Sequence, residues 1–327
     1  MAQDAQYQFS ASQLETELPE IVKKGVTRLF INEPAITGTK ESFLRFLKNA
    51  LKHAPDIFYT FFIEPQIIDQ EICSLLSELY CSLQFRVASN VIEKKQLQRK
   101  ASLLNHHSLV FGFDIDLIAN ESDTIKLFRE RLDFFISLYP NHLDFPQMLQ
   151  EEVYKPTAFY SAKEIKSALQ LAFACTVFYS AGRAVPWFLS VLKPLRISSA
   201  RFFSDFSEWL RCNNCSQETG FLPFETTHQE IEKMQILFLQ MKYDEKNVSH
   251  FFPVVKDIVK LNGAFSRLVG EGQECQLELE FNPDDLCSPY AMDIAKFSET
   301  VCMEHCNVRI YTATSPDGQQ YPDYKTL

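Results

Sequence analysis

The sequence predicts an α/β protein, with a parallel sheet covered by helices in its first half and a mainly helical region after it. Three observations predict this. Short apolar runs alternate with amphipathic stretches from Ser12 to Gln147, the connections between them are short, and from Ser161 onward the apolar residues recur at helical spacing. Strands that read as apolar on both faces need helices on the sheet and parallel pairing. Right-handed crossovers then leave two arrangements, an open doubly wound sheet or a barrel.

The elements follow in order. "SQLETELPEIVKKG" (Ser12 to Gly25) reads as a helix with a Ser cap and a Gly stop, and "VTRLFINEP" (Val26 to Pro34) as a short strand. Thr39 to Pro55 is a helix, "DIFYTFFIEP" (Asp56 to Pro65) a strand, Asp69 to Tyr80 a helix and "CSLQFRVASN" (Cys81 to Asn90) a strand. Val91 to His107 is a helix, "SLVFGFDIDL" (Ser108 to Leu117) a strand, Ser122 to Pro140 a helix and "HLDFPQ" (His142 to Gln147) a last short strand. Beyond Ser161 the helical pattern is broken by Gly182 and Pro186 and again by Pro194, and a further helix covers Thr227 to Lys242. A strand from Gln276 to Pro283, a helix from Pro289 to Cys302 and a strand from Val308 to Ala313 close the chain.

Bulk composition excludes several functions. The 327 residues are 46% hydrophobic, enough for a large core, and carry a formal net charge of -10. An acidic chain is a poor partner for nucleic acid or an anionic membrane. The small basic cluster Lys94, Lys95, Arg99 and Lys100 reads as a solvated helix face. No apolar run approaches the length of a membrane span, and the polar, acidic N-terminus is no export signal, so a cytoplasmic location with nine reduced cysteines is expected. Phe occurs 29 times and Gly only 9 times, which argues against glycine-loop nucleotide sites. There is no Walker lysine loop, G-x-S-x-G elbow or H-E-x-x-H pair.

Parallel α/β folds do their chemistry at the C-terminal ends of the strands. Reading those ends gives Asn32 and Glu33, Glu64, Arg86 and Ser89, Asp114 and Asp116, and then Asn141, His142 and Asp144. Each also has an ordinary structural reading. Glu33 and Glu64 precede proline and suit turns, the aspartates suit loop N–H groups, and His142 suits a satisfied core position. Their recurrence at one end is what marks a candidate rim.

The phrases "KKQLQRKASLLNHHSLVFGFDIDLI" and "DTIKLFRERLDFFISLYPNHLDFPQ", with "GRAVPWFL" and "FFSDFSEWL" downstream, resemble the later part of a radical S-adenosylmethionine protein of the cobalamin-binding-domain subgroup. The resemblance covers Phe9 to Leu210. It implies a partial (βα) TIM-like barrel of about five parallel strands over residues 1–155, followed by a mainly helical C-terminal domain over 156–327 with a small terminal β element. It also implies that "FINEP", with Asn32 and Glu33, meets the methionine amino group of S-adenosylmethionine. Arg86 and Ser89 would approach the ribose and carboxylate, and Phe111 to Asp116 the adenine. Glu64, Asn141, His142 and Asp144 would line the substrate side.

The chain departs from the family where the cluster should be. It has no C-x-x-x-C-x-x-C, its first strand is missing, and the cobalt-ligating Asp-x-His-x-x-Gly is absent too. A [4Fe-4S] cluster is therefore not supported by its own cysteines, since the cluster needs three thiolates, and cobalamin is not expected within it. The chain is expected to be the later portion of a split or mis-started enzyme, or a degenerate relative that acts as a non-catalytic binding or scaffold partner. An open barrel exposes a sheet edge that a protein partner would complete. Cys212 and Cys215 (C-x-x-C) and Cys302 and Cys306 (C-x-x-x-C) are the remaining metal candidates, for a tetrahedral zinc site, although inert thiols are the plainer reading.

Overall fold

The computed structural model describes residues 11–86, 94–146, 155–316, 318 and 320–327. The chain divides into two compact units, 1–119 with 138–150, and 120–137 with 151–327.

The first unit holds a five-stranded parallel sheet with its helices. In chain order these are α1 (Ala11–Lys23), β1 (Arg28–Ile31), α2 (Pro34–Thr37), α3 (Lys40–His53), β2 (Phe58–Ile63), α4 (Gln70–Leu76), β3 (Cys81–Arg86), α5 (Lys94–His106) and β4 (Val110–Asp114). Helix α6 (Ile125–Ile136) follows and is counted with the second unit, and β5 (His142–Asp144) returns to the sheet. The strand order is β1-β2-β3-β4-β5, all parallel and strictly sequential. A doubly wound sheet needs a reversal of order, so that arrangement is ruled out. The sheet is not closed; β1 and β5 are its edges.

Strand periodicity explains the two faces. Tyr59, Phe61, Ile63, Leu83, Phe85, Phe111, Phe113 and Leu143 alternate along β2 to β5 and are all buried. Phe43 and Phe46 of α3 set their edges on Phe61 at 5.1 and 6.0 Å, and Tyr59 donates its hydroxyl to the Ala54 carbonyl at 3.0 Å. The other face is different. It carries Phe30, Thr60, Phe62, Ser82, Gln84, Val110, Gly112 and His142, with Phe30 65% and Val110 42% exposed. The expectation of strands apolar on both faces therefore holds for only one. The sequence hid this because the polar positions are single residues, Thr60, Gln84 and Gly112, set among phenylalanines.

The second unit is mainly helical. Helix α7 (Ala162–Cys175) opens with a full capping box between Ser161 and Glu164 and runs into a π-helical turn, Thr176–Ala181. Then come α8 (Phe188–Leu195), α9 (Ser199–Cys212), α10 (His228–Glu245) and α11 (Phe252–Glu271). Asp133 of α6 accepts the Ala200 amide at the head of α9, at 2.7 Å. Phe178, in the π turn, is the hub of the core. Its ring meets Trp187, Phe188, Phe202, Phe206 and Phe238 at 4.8 to 6.4 Å. Each such ring adds roughly 1.5–3 kcal/mol by burial, which accounts for the heavy use of Phe. An antiparallel sheet closes the unit, with β6 (Cys275–Leu279), α12 (Pro283–Leu286), α13 (Ile294–Thr300), β7 (Cys306–Thr314) and β8 (Gln320–Thr326) in the strand order β6-β7-β8. No helix among the described residues is long and apolar enough to cross a membrane.

Candidate functional site

The register of the parallel sheet builds the site. Gln84 of β3 lies beside Gly112 of β4, which lies beside His142 of β5. One step further along the strands, Arg86, Asp114 and Asp144 form the next row of the same face. Gln84 is buried and joins the two rows. Its Nε2 donates to Asp114 Oδ1 at 2.6 Å and to Asp144 Oδ2 at 2.9 Å, and its Oε1 accepts from His142 Nε2 at 2.7 Å. Both amide protons and one carbonyl lone pair are thereby used. Because His142 Nε2 carries the proton given to Gln84, Nδ1 is the free ring nitrogen, and it has no hydrogen bond among the described residues.

Gly112 makes this possible. A Cβ at that position would fall 2.2 to 2.7 Å from His142 ring atoms. The imidazole lies over the bare backbone of β4, and only glycine leaves it that space.

The electrostatics follow from crowding. Burial pushes the Asp144 carboxyl above the usual carboxylate range, and Asp114 beside it adds to this, while His142 and Gln84 pull the other way. The Asp144 side chain still keeps 45% of its surface open to solvent, which reduces the energetic weight of the shift. His142 Nε2 stands 3.4 Å from Asp144 Oδ2. At the outer side, Arg86 donates Nε to Asp114 Oδ2 at 3.3 Å and sets its guanidinium 5.5 Å from the Phe62 ring centre.

Of the residues read from the sequence, the structure brings together Arg86, Asp114, His142 and Asp144. Asp116 lies two residues past β4 and is half-buried. Glu33 caps α2, with Oε1 accepting the Ala35 amide at 3.2 Å. Asn32 and Glu64 are exposed beyond β1 and β2. Asn141 is at the opposite end from the one expected. It precedes β5 and pins that strand's start to β4, donating its amide to the Phe111 carbonyl at 2.8 Å and accepting the Phe111 amide on Oδ1 at 3.0 Å. Ser89 lies outside the described residues. Gln84 and Gly112 were missed, and their signal was a lone amide and a lone glycine in otherwise apolar strands.

The four cysteine candidates do not assemble. Among the described residues no three His, Cys, Asp or Glu side chains stand together to hold a metal ion. Cys212 ends α9 and is exposed, with Glu208 Oε1 3.9 Å from its sulfur, and Cys215 donates to the Asn213 carbonyl at 3.3 Å. Cys302 is exposed, and Cys306 begins β7 with Glu304 Oε2 at 4.0 Å. Burial raises the Cys215 and Cys306 thiols above their ordinary value, which works against thiolate formation.

The strand-end row offers two carboxylates on adjacent strands and one imidazole, all bonded to a single buried amide, with one guanidinium held by Asp114. Such a row can hold a ligand that carries more positive than negative charge. The chain matches no protein-family model and no curated protein sequence, so the geometry of this row carries the functional reading.

Proposed function

We propose that the first unit is a partial (βα) TIM-like barrel of the radical S-adenosylmethionine type, and that its strand-end row binds S-adenosylmethionine. The observation that carries this reading is the Gln84-centred row of Asp114, Asp144, His142 and Arg86 on the open face of a sequential parallel sheet. S-adenosylmethionine has a sulfonium, an ammonium and one carboxylate, so its net charge is positive. Asp114 and Asp144 would face the cationic groups and Arg86 the carboxylate, with Phe62 beside it.

The thiols described in this chain do not fit the family's iron–sulfur cluster, which needs three thiolates around one metal site. Radical chemistry in this reading needs a cluster from another polypeptide or another segment, and that partner would complete the sheet edge at β1. The row's own part is to bind and orient the ligand.

Isothermal titration of the full chain with S-adenosylmethionine tests the reading. Binding is expected, with Asp114→Asn weakening it roughly 10-fold or more, the weight of a hydrogen bond to a charged group. Adenosine, which lacks both cationic groups, is expected to bind far more weakly. If no heat is seen at millimolar ligand, or if Asp114→Asn binds equally well, the reading falls and a barrel that serves only as a scaffold takes its place.

A further inference from the structure

The second unit contains a cavity of about 370 Å³, which is within the range of small-molecule sites. Its wall comes from the end of the π turn and from Arg183, its mouth from Pro223 and Phe224, and its base from His228 at the start of α10. Among the described residues, the only formal charges lining it are Arg183 and Glu271. They are paired at 2.7 Å, yet each keeps about a third of its side-chain surface exposed, at 36% and 32%.

The pair is held but not saturated. Arg183 Nη1 donates to the Ser266 carbonyl at 3.0 Å and to its hydroxyl at 3.2 Å, and Nη2 donates to Glu271 Oε1. Among the described residues, Arg183 Nε and Glu271 Oε2 make no hydrogen bond. The guanidinium passes close to α11 at Gly270, where a Cβ would sit 3.3 Å from Nη1. Arg183 itself takes a left-handed backbone (φ 49°), a conformation that a non-glycine residue adopts at a cost.

The base is rigid. A carbonyl must accept, so His228 Nε2–H donates to the Gly182 carbonyl at 3.3 Å, and Nδ1 then accepts from Arg267 Nη1 at 3.0 Å. That tautomer is neutral. Arg267 is in turn paired with Glu232 at 2.5 Å. Gln235 Nε2 donates to the Phe178 and Gly182 carbonyls at 2.7 and 3.0 Å, which satisfies backbone acceptors at the π turn. At the helix start, Thr227 and Glu230 cap each other and use the Thr227 and Glu230 amides.

We propose that this cavity binds a free α-amino acid. The ligand's carboxylate would take Arg183, its ammonium would take Glu271, and its side chain would rest on Phe224, which is 74% exposed at the mouth. Adjacent opposite charges over an uncharged base complement a zwitterion better than a singly charged ligand. The site is independent of the strand-end row.

The test is a thermal-shift screen of the full chain against each proteinogenic L-amino acid at about 10 mM, where a ligand in excess of its dissociation constant raises the melting midpoint. At least one amino acid is expected to stabilise the chain, while its decarboxylated amine and its deaminated acid do not. In titration calorimetry, Arg183→Gln and, separately, Glu271→Gln are each expected to weaken the best hit roughly 10-fold or more. Glu271→Gln leaves the Arg183–Ser266 bonds in place and guards against simple misfolding. The proposal is overturned if no amino acid shifts the midpoint, if the amine or the acid alone binds as well, or if Glu271→Gln binds undiminished.

Discussion

Two histidines in this protein sit in polar networks of opposite character. His142, in the parallel sheet, faces the carboxylates Asp114 and Asp144 through Gln84. His228, at the head of α10, faces Arg183 and Arg267 and stands beside a backbone carbonyl. The first network lies along the strands' open face, with Asp144 about half exposed and a ring nitrogen left open. The second is closed, with both ring nitrogens bonded and Arg267 and Glu232 nearly fully buried. A network with open valences suits a ligand, and one with none suits a scaffold. On the proposed reading, His142 belongs to the binding row and His228 to the base of the second unit's cavity.

The largest expected effect breaks the closed network. Arg267→Met leaves the Glu232 carboxylate buried without its cation and His228 Nδ1 without its donor. Removing one partner of a buried pair costs about 3–5 kcal/mol. Trp187 and Trp209 are the only tryptophans and both lie in the second unit, so urea unfolding followed by tryptophan fluorescence reads this loss directly. A loss below 1 kcal/mol would mean that the network is not closed in solution.

Acid distinguishes the two histidines next. Burial, with the nearby Arg183, pushes His228 down to about 4. Between that value and the ordinary histidine value the unfolded chain binds a proton that the folded chain refuses. The stability His228 contributes is therefore complete above pH 6.5 and is lost as pH falls toward 4. The loss amounts to about 3 kcal/mol, at 1.36 kcal/mol per pKa unit. In His228→Gln the tryptophan-detected midpoint is expected to change less between pH 7 and pH 4 than in the wild type.

Gly112 gives the next smaller effect. Gly112→Ala drives a methyl into the His142 ring, and overpacking of this kind costs roughly 1–3 kcal/mol. The double variant with His142→Ala removes the obstacle and is expected to recover most of the loss. If the two costs simply add, the ring does not lie over Gly112.

Much of the fold was legible. All five parallel strands stand where apolar runs between helical stretches put them, because a buried strand and an amphipathic helix have different periods. What was missed has physical causes. Helix α11 carries Gly263 and Gly270, which depress helix propensity, and neither glycine is there for the helix. A Cβ at Gly263 would fall 1.9 Å from Glu232 Oε2, and one at Gly270 would sit 3.3 Å from Arg183 Nη1. Strand β8 contains Pro322, which is tolerated because β8 is an edge of its sheet. At the candidate site, the strand ends pointed to the acids, but Gln84 and Gly112 acquire meaning only from the register that aligns them with His142. Asn141 went to the wrong end because the start of a three-residue strand lies too close to its finish for a sequence pattern to separate them.

The smallest effect has the opposite sign to that of His228 and therefore sharpens the contrast most. The Asp144 carboxyl is raised in the folded chain, chiefly by burial. As pH falls through that raised value toward the ordinary carboxylate value of 3.8, the folded chain takes up a proton before the unfolded chain does. Asp144 thus makes the sheet relatively more stable in acid and less stable near neutrality. Half-exposure keeps the effect small, so it should be read locally, by hydrogen exchange of the Phe111 to Asp114 amides corrected for intrinsic rate. Those amides are expected to lose less protection between pH 7 and pH 4 in the wild type than in Asp144→Asn, whereas the tryptophan-detected unit behaves alike in both. Equal losses at β4 would mean that Asp144 is solvated like any surface carboxylate, and that Gln84 holds it without confining it.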